Sequence, residues 1–155
     1  TIQLDFNLPE RFELEYVNDQ NSKERPVMIH RAILGSVERF MAVMIEHYAG
    51  AFPFWLAPEQ IRLVPVSDDF IDYCKEVKEK LELVQVRVEM DASKEGVGKK
   101  IRNAAMKKIP WTIVIGEKEA GGEDFIINVF GEDENLSVSQ VQLPEKAKEA
   151  AKLPL

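Results

Sequence analysis

The sequence predicts an α/β protein: a mixed β-sheet flanked by helices, preceded by a smaller unit of antiparallel strands and one helix. Three observations carry this. Before Ala51, short strand-type runs are joined by turn residues and close on one stretch of helical period. From Ile61 onward, short β-type runs alternate with amphipathic helical stretches, the pattern of a helix-covered sheet. Between them, the two prolines of Ala51–Pro58 (AFPFWLAP) exclude regular structure and mark a boundary, giving expected domains 1–56 and 57–155.

In the first unit, Ile2, Leu4 and Phe6 alternate with Thr1, Gln3 and Asp5, the period of a half-buried strand. Phe12–Val17 alternates again after a break at Pro9, and Asp19-Gln20-Asn21-Ser22 is a turn cluster. Pro26–Leu34 is mostly apolar and fits a buried strand. From Ser36 the period changes, with Phe40, Met44 and Tyr48 on one stripe. Ser36 is placed to cap that helix and Gly50 to close it.

In the second unit, Ile61–Val66 reads as a strand. Phe70, Cys74, Val77 and Leu81 give an amphipathic helix opened by Ser67-Asp68-Asp69. Val84, Val86, Val88 and Met90 alternate as a strand. Gly98–Lys108 is a helix with Ile101 and Ala105 inward. Trp111–Ile115 is apolar on both faces and so central, Asp124–Phe130 is a fourth strand, and Val138–Ala151 is a closing helix broken near its start by Pro144.

Composition bounds the function. With 155 residues, 45% hydrophobic and 30% charged, the chain has the make-up of a globular protein. No apolar run approaches the ~20 residues of a membrane helix, and no basic start opens a signal peptide. A single cysteine excludes an internal disulfide and makes a reducing, cytoplasmic setting the expectation. The net charge of −7 argues against wholesale nucleic-acid binding but leaves room for a local basic patch. Thr1 opens directly into a strand with no initiator methionine, which favours a piece of a longer protein over a processed domain.

Few residues suggest chemistry on their own. His30 stands mid-strand among apolar neighbours, where a hydrogen-bonded core histidine is the ordinary reading. His47 and Cys74 lie at spacings unlike any zinc motif. His30, Ala32 and Leu34 project from one strand face, and Ser36 follows at the turn with Arg39 three residues on. A serine and an arginine at a helix start suit an anion or nucleotide, and equally suit a capped helix with a surface arginine. Lys94, Lys99, Lys100, Arg102, Lys107 and Lys108 crowd a short stretch, either a solvated face or a phosphate-contacting one.

Pro26–Phe40 (PVMIHRAILGSVERF) resembles motif 3 of threonyl-tRNA synthetases. Thr1–Phe6 (TIQLDF) and Leu8–Arg11 (LPER) are similar to the strand before it. Tyr48–Pro58 (YAGAFPFWLAP) is similar to the family's junction with the anticodon-binding domain, and Asp91–Arg102 (DASKEGVGKKIR) and Ile115–Glu119 (IGEKE) to that domain itself. The resemblance implies a class II catalytic-domain segment followed by an anticodon-binding domain, in a homodimeric parent protein. It further implies that His30 is one of three zinc ligands, in a site where zinc binds threonine's amino and hydroxyl groups and so rejects valine. By the same resemblance Arg39 packs on the adenine of ATP, used with Mg, and Gln3, Ala32 and Ser36 line the amino-acid pocket. The resemblance also implies that Lys94, Glu119 and Asn128 occupy tRNA-contacting positions.

The same resemblance places the other zinc ligands, and motifs 1 and 2, upstream of Thr1, so this stretch alone is expected to be inactive. It also exposes a departure. Where relatives carry an Arg-Thr-Arg run, this chain has Asn128-Val129-Phe130, followed by the acidic Glu132-Asp133-Glu134. Either the anticodon is read through neutral and aromatic contacts, or the domain binds RNA weakly and serves as a packing module. The leading expectation is therefore part of a threonine–tRNA ligase acting on threonine, ATP and tRNA(Thr). The competing one is a non-catalytic tRNA-binding or interaction module built from an anticodon-type domain.

Overall fold

A computed structural model describes residues 1–154. Two compact units emerge, Thr1–Glu46 and His47–Leu155.

In the first unit, β1 (Ile2–Asp5) leads into a short helix, α1 (Asn7–Arg11), whose first turn is held by Asp5. Asp5 Oδ1 accepts from Asn7 N at 2.9 Å and from Leu8 N at 3.0 Å. Two hairpin-like ladders follow. β2 (Tyr16–Val17) pairs antiparallel with β3 (Lys23–Glu24), and β1 pairs antiparallel with β4 (Met28–Arg31), in the register Gln3↔His30. The expected strand over Phe12–Val17 is thus reduced to its last two residues. The Asn18–Ser22 turn is as read: Asn18 Oδ1 accepts from Gln20 N and Ser22 N, and Asn21 adopts φ 59°.

The run Pro26–Leu34 is not a buried strand. Ile29 is 62% exposed, because a two-stranded ladder has no layer of its own to cover it. Gly35 (φ +71°) turns the chain into α2 (Val37–His47). Ser36 caps it as expected, with Oγ accepting from Arg39 N at 3.2 Å.

The second unit holds the core. Its five-stranded sheet has the order β6-β5-β7-β8-β9, where β5 is Ile61–Pro65, β6 Val88–Met90, β7 Trp111–Ile115, β8 Phe125–Val129 and β9 Leu136–Val138. β5 lies parallel to β6 and β7, whereas β7–β8 and β8–β9 are antiparallel, so the sheet is mixed and β7 central. One face packs Ile61, Leu63, Ile113, Ile115, Phe125 and Ile127 against two helices, α3 (Ile71–Glu82) and α6 (Leu143–Ala150). These helices contribute Cys74, Val77, Leu81, Leu143 and Ala147. α4 (Val97–Met106) covers β5 and β7 on the other face. Right-handed crossovers running β5→β6 and then back to β7 require opposite faces.

Four details differ from the sequence reading. Ala104, not Ala105, is the inward alanine of α4, beside a buried Lys100. β6 starts only at Val88, because Val84 N and Val86 N both donate to Leu81 O and Gln85 turns at φ 65°, capping α3. A four-residue helix, α5 (Glu117–Ala120), follows β7. β9 ends on Val138, the first residue expected of the closing helix, and α6 starts only at Leu143, with Pro144 in its first turn, where a missing N–H costs nothing.

The units part at Glu46–His47, ahead of the 56/57 boundary expected from the prolines. The irregular stretch through Pro58 is bonded to the sheet unit: Arg87 donates to Trp55 O and Ala57 O, and Gln60 to Phe54 O.

Candidate nucleic-acid interface and partial active site

On the first unit, period two and the β1–β4 register put Gln3, Asp5, His30 and Ala32 on one face of the ladder. Thr1 and Ala32 exchange backbone hydrogen bonds at 2.7 and 3.0 Å, which extends the ladder to Ala32. His30 is not a core histidine. Its ring is open to solvent, and its Nε2 lies 2.9 Å from Asp5 Oδ2. The bond from Leu8 N, followed by the one to His30, holds the Asp5 carboxyl below the usual carboxylate range. Asp5 therefore fixes one ring nitrogen of His30 and leaves Nδ1 free.

Ser36 and Arg39 follow on the helix start. The Arg39 guanidinium is exposed and has no protein partner among the described residues. Sequence reading missed Asp5 because its place beside His30 depends on a cross-strand register that alternation alone does not give. A zinc ion needs three or four ligands, and among the described residues no group of three His, Cys, Asp or Glu side chains could hold a metal. Among the described residues, His30 with Asp5 falls short of that number.

On the second unit, the loops after β6 and β7 leave the same, carboxyl edge of the sheet, because those strands run parallel to β5. Lys94 stands exposed in the first loop, with no protein partner for its ammonium among the described residues. Glu119 stands in the second. Its Oε2 accepts from Gly116 N at 2.9 Å, capping α5, and Oε1 makes no hydrogen bond to the protein among the described residues. Gln140 secures this turn by donating to Glu119 O (2.5 Å) and Glu123 O (2.9 Å) while accepting from Tyr73 OH (2.8 Å). Nothing local in the sequence points to Gln140, since its partners are distant in the chain.

Asn128 lies on the exposed face of β8, opposite Thr112, with Nδ2 3.3 Å from Asn135 Oδ1. No hydrogen bond or ion pair joins Lys94, Glu119 and Asn128.

The basic cluster disperses. Lys100 is 5% exposed and directs Nζ to Pro65 O at 3.4 Å. Lys99 pairs with Glu95 at 2.6 Å, and Lys108 donates to Ala49 O. Lys94, Arg102 and Lys107 remain without protein partners among the described residues. Beside them, Arg62 is held by both oxygens of Glu59, with Asp91 3.9 Å away. The Asp91 carboxyl is lowered by hydrogen bonding from Ser93, aided by the charges of Lys100 and Arg62. This edge is a set of separate cations among acids, suited to a few directed contacts and not to a uniform phosphate track.

Known families match this arrangement in two blocks. The profile described as tRNA synthetase class II core domain (G, H, P, S and T) matches residues 1–48, and the one described as anticodon binding domain matches residues 60–150. The chain belongs to the anticodon-binding-domain family, with a class II core segment ahead of it. Among curated relatives, the threonine–tRNA ligase of Gloeobacter violaceus is 58% identical over 77% of this chain, and that of Synechococcus elongatus 49% identical over 99%. The chain spans only 19% and 26% of those proteins. The crystal structure of the RNA binding domain of threonyl-tRNA synthetase from Cryptosporidium parvum superposes with a TM-score of 0.86 at 38% identity, over 96% of this chain and 38% of that one. The resemblance to threonyl-tRNA synthetases read from Pro26–Phe40 and the later blocks therefore holds. A prolyl-tRNA synthetase from the same organism, at 19% identity and a TM-score of 0.66, shares the fold alone.

Proposed function

We propose that this chain is part of a threonine–tRNA ligase that activates threonine with ATP and Mg and transfers it to tRNA(Thr). Residues 57–155 are the anticodon-binding portion and residues 1–56 the end of the catalytic core, in a cytoplasmic, homodimeric parent protein. What supports this most is the continuous resemblance: class II core sequence over residues 1–48, then anticodon-binding sequence over 60–150, in one chain.

Each residue's part follows from its chemistry. Arg39 offers a planar, unpaired guanidinium for an adenine face. In this reading Ser36, Ala32 and Gln3 contact the amino acid, as the resemblance implies. His30, oriented by Asp5, supplies one ligand to a zinc whose other ligands lie outside this chain. Class II activation rests on positioning and on stabilising phosphate charge, so the lack of a nucleophile–base pair is no obstacle. In this reading Lys94 and Oε1 of Glu119 contact anticodon bases, with Glu119 accepting from N–H groups on a guanine edge. Asn128 stands where relatives carry arginine, offering a neutral amide. The test is filter binding of the 155-residue chain to threonine tRNA and to other tRNAs. Selective binding is expected, and equal affinity for all would overturn anticodon reading.

A further inference from the structure

β7 and β9 both run antiparallel to β8, so their carboxyl ends lie at one edge of the sheet, the edge at which β5 also ends. Three segments leave that edge: the chain entering α3 after β5, the α5 turn after β7, and the loop between β9 and α6. One side chain joins them. Gln140, in the last of these, donates from Nε2 to Glu119 O at 2.5 Å and to Glu123 O at 2.9 Å, and its Oε1 accepts from Tyr73 OH at 2.8 Å.

The chemistry fixes which way this amide faces. Glu119 and Glu123 present carbonyl oxygens, which only accept, so both N–H groups of Gln140 point to them and Oε1 is left for the phenol. The phenol is suited to donate. Burial, followed by the charges of Glu76, Cys74 and Glu119, holds the Tyr73 hydroxyl above its usual range and so protonated. Tyr73 is half-buried and packs against the core, which anchors the whole chain of bonds.

α5 needs such an anchor. It is a single turn of four residues with Gly116 before it and Gly121 and Gly122 after it, too short to hold its own shape. The cap from Glu119 Oε2 to Gly116 N and the bond from Gly121 N to Glu117 O are internal to the turn. Among the described residues, the side-chain hydrogen bonds that tie the turn to other elements are those of Gln140.

We propose that Gln140 is a positioning residue for anticodon reading: anchored on Tyr73, it locks the α5 turn so that the Glu119 carboxylate meets a base edge in one orientation. The inference rests on the reading given under Proposed function. A contact group that is ordered only on binding loses part of its contribution to that ordering, and a group fixed beforehand does not.

The test uses the 155-residue chain. Gln140→Ala should speed hydrogen exchange at Gly121 and Gly122 about tenfold, leaving Ile113 and Ile127 unchanged. It should also lower the preference for the anticodon stem-loop of threonine tRNA, over the same stem-loop with its anticodon replaced, by about fivefold or more. Affinity for the replaced stem-loop should be unchanged. Gln140→Glu keeps the shape but sets a carboxylate against two carbonyls, so it should lose as much. Tyr73→Phe keeps the ring in the core and removes only the anchoring hydroxyl, so it should lose part of the preference. In a Glu119→Gln background, adding Gln140→Ala should cost less than about twofold more, because both act through one contact. Fully additive losses, an intact preference in Gln140→Ala, or recovery by Gln140→Glu would each overturn the positioning role, and unchanged exchange would overturn the lock. A wild-type chain with no anticodon preference would defeat the underlying functional reading and this role with it. A wild-type preference that survives Gln140→Ala would defeat this role alone.

Discussion

At the scale of single residues, Glu119 caps α5 by accepting from Gly116 N at Oε2, and the proposed function gives its Oε1, unbonded among the described residues, a second job as an anticodon contact. The two jobs separate by substitution. In Glu119→Gln an amide oxygen still accepts from Gly116 N, so stability should change by no more than about 0.5 kcal/mol, whereas losing a charge-assisted contact should weaken anticodon stem-loop binding about tenfold. Equal losses of stability and binding, compared by denaturant unfolding and filter binding, would reduce Glu119 to a cap. Cys74 makes a second residue-scale prediction. Fully buried against the core, its thiol is pushed from 9.0 up to about 11 by desolvation. Between those values the unfolded chain releases a proton that the folded chain keeps, so the contribution is fully present below pH 9.0 and is lost as pH rises toward 11. Its size is up to about 3 kcal/mol. Urea unfolding at about pH 8 and about pH 10.5 should show a smaller alkaline loss in Cys74→Ala than in the wild type. Identical losses would mean the thiol titrates normally.

At the scale of elements, the two units differ in what covers them. β5 is buried along its whole length, with helices on both faces. β1 and β4 expose Ile2, Leu4 and Ile29 at 69%, 61% and 62%, and α2 buries no residue. A two-stranded ladder with open apolar faces is marginal in water. In the 155-residue chain, amides of the β1–β4 ladder should therefore exchange much faster than those of β5 and β7, and limited proteolysis should cut within residues 1–46 first. Equal protection of both ladders would contradict this.

The same contrast governs what the sequence made legible. Strands with helical neighbours were readable because burial on both faces writes an unbroken apolar run, as in Trp111–Ile115. Pro26–Leu34 has a similar run but no partner layer in its unit, so its apolarity did not report its burial. β9 and α5 escaped notice because three or four residues carry too little period to detect. For the candidate site, the face shared by His30 and Ala32 and the Ser36 cap followed from spacing alone. Asp5, Gln140 and the dispersal of the lysines did not, since each depends on a partner far away in the chain.

At the scale of the whole molecule, a net charge of −7 works against indiscriminate RNA binding, and the cations left free at the sheet's carboxyl edge are few. Affinity should therefore come from directed base contacts and fall only gently with salt. The most direct measurement is binding of this chain to the anticodon stem-loop of threonine tRNA against the same stem-loop with its anticodon replaced, across a salt series. The account predicts a preference of about tenfold or more for the native anticodon, with a shallow salt slope. Equal affinity for both with a steep slope, or no binding to either, would contradict it.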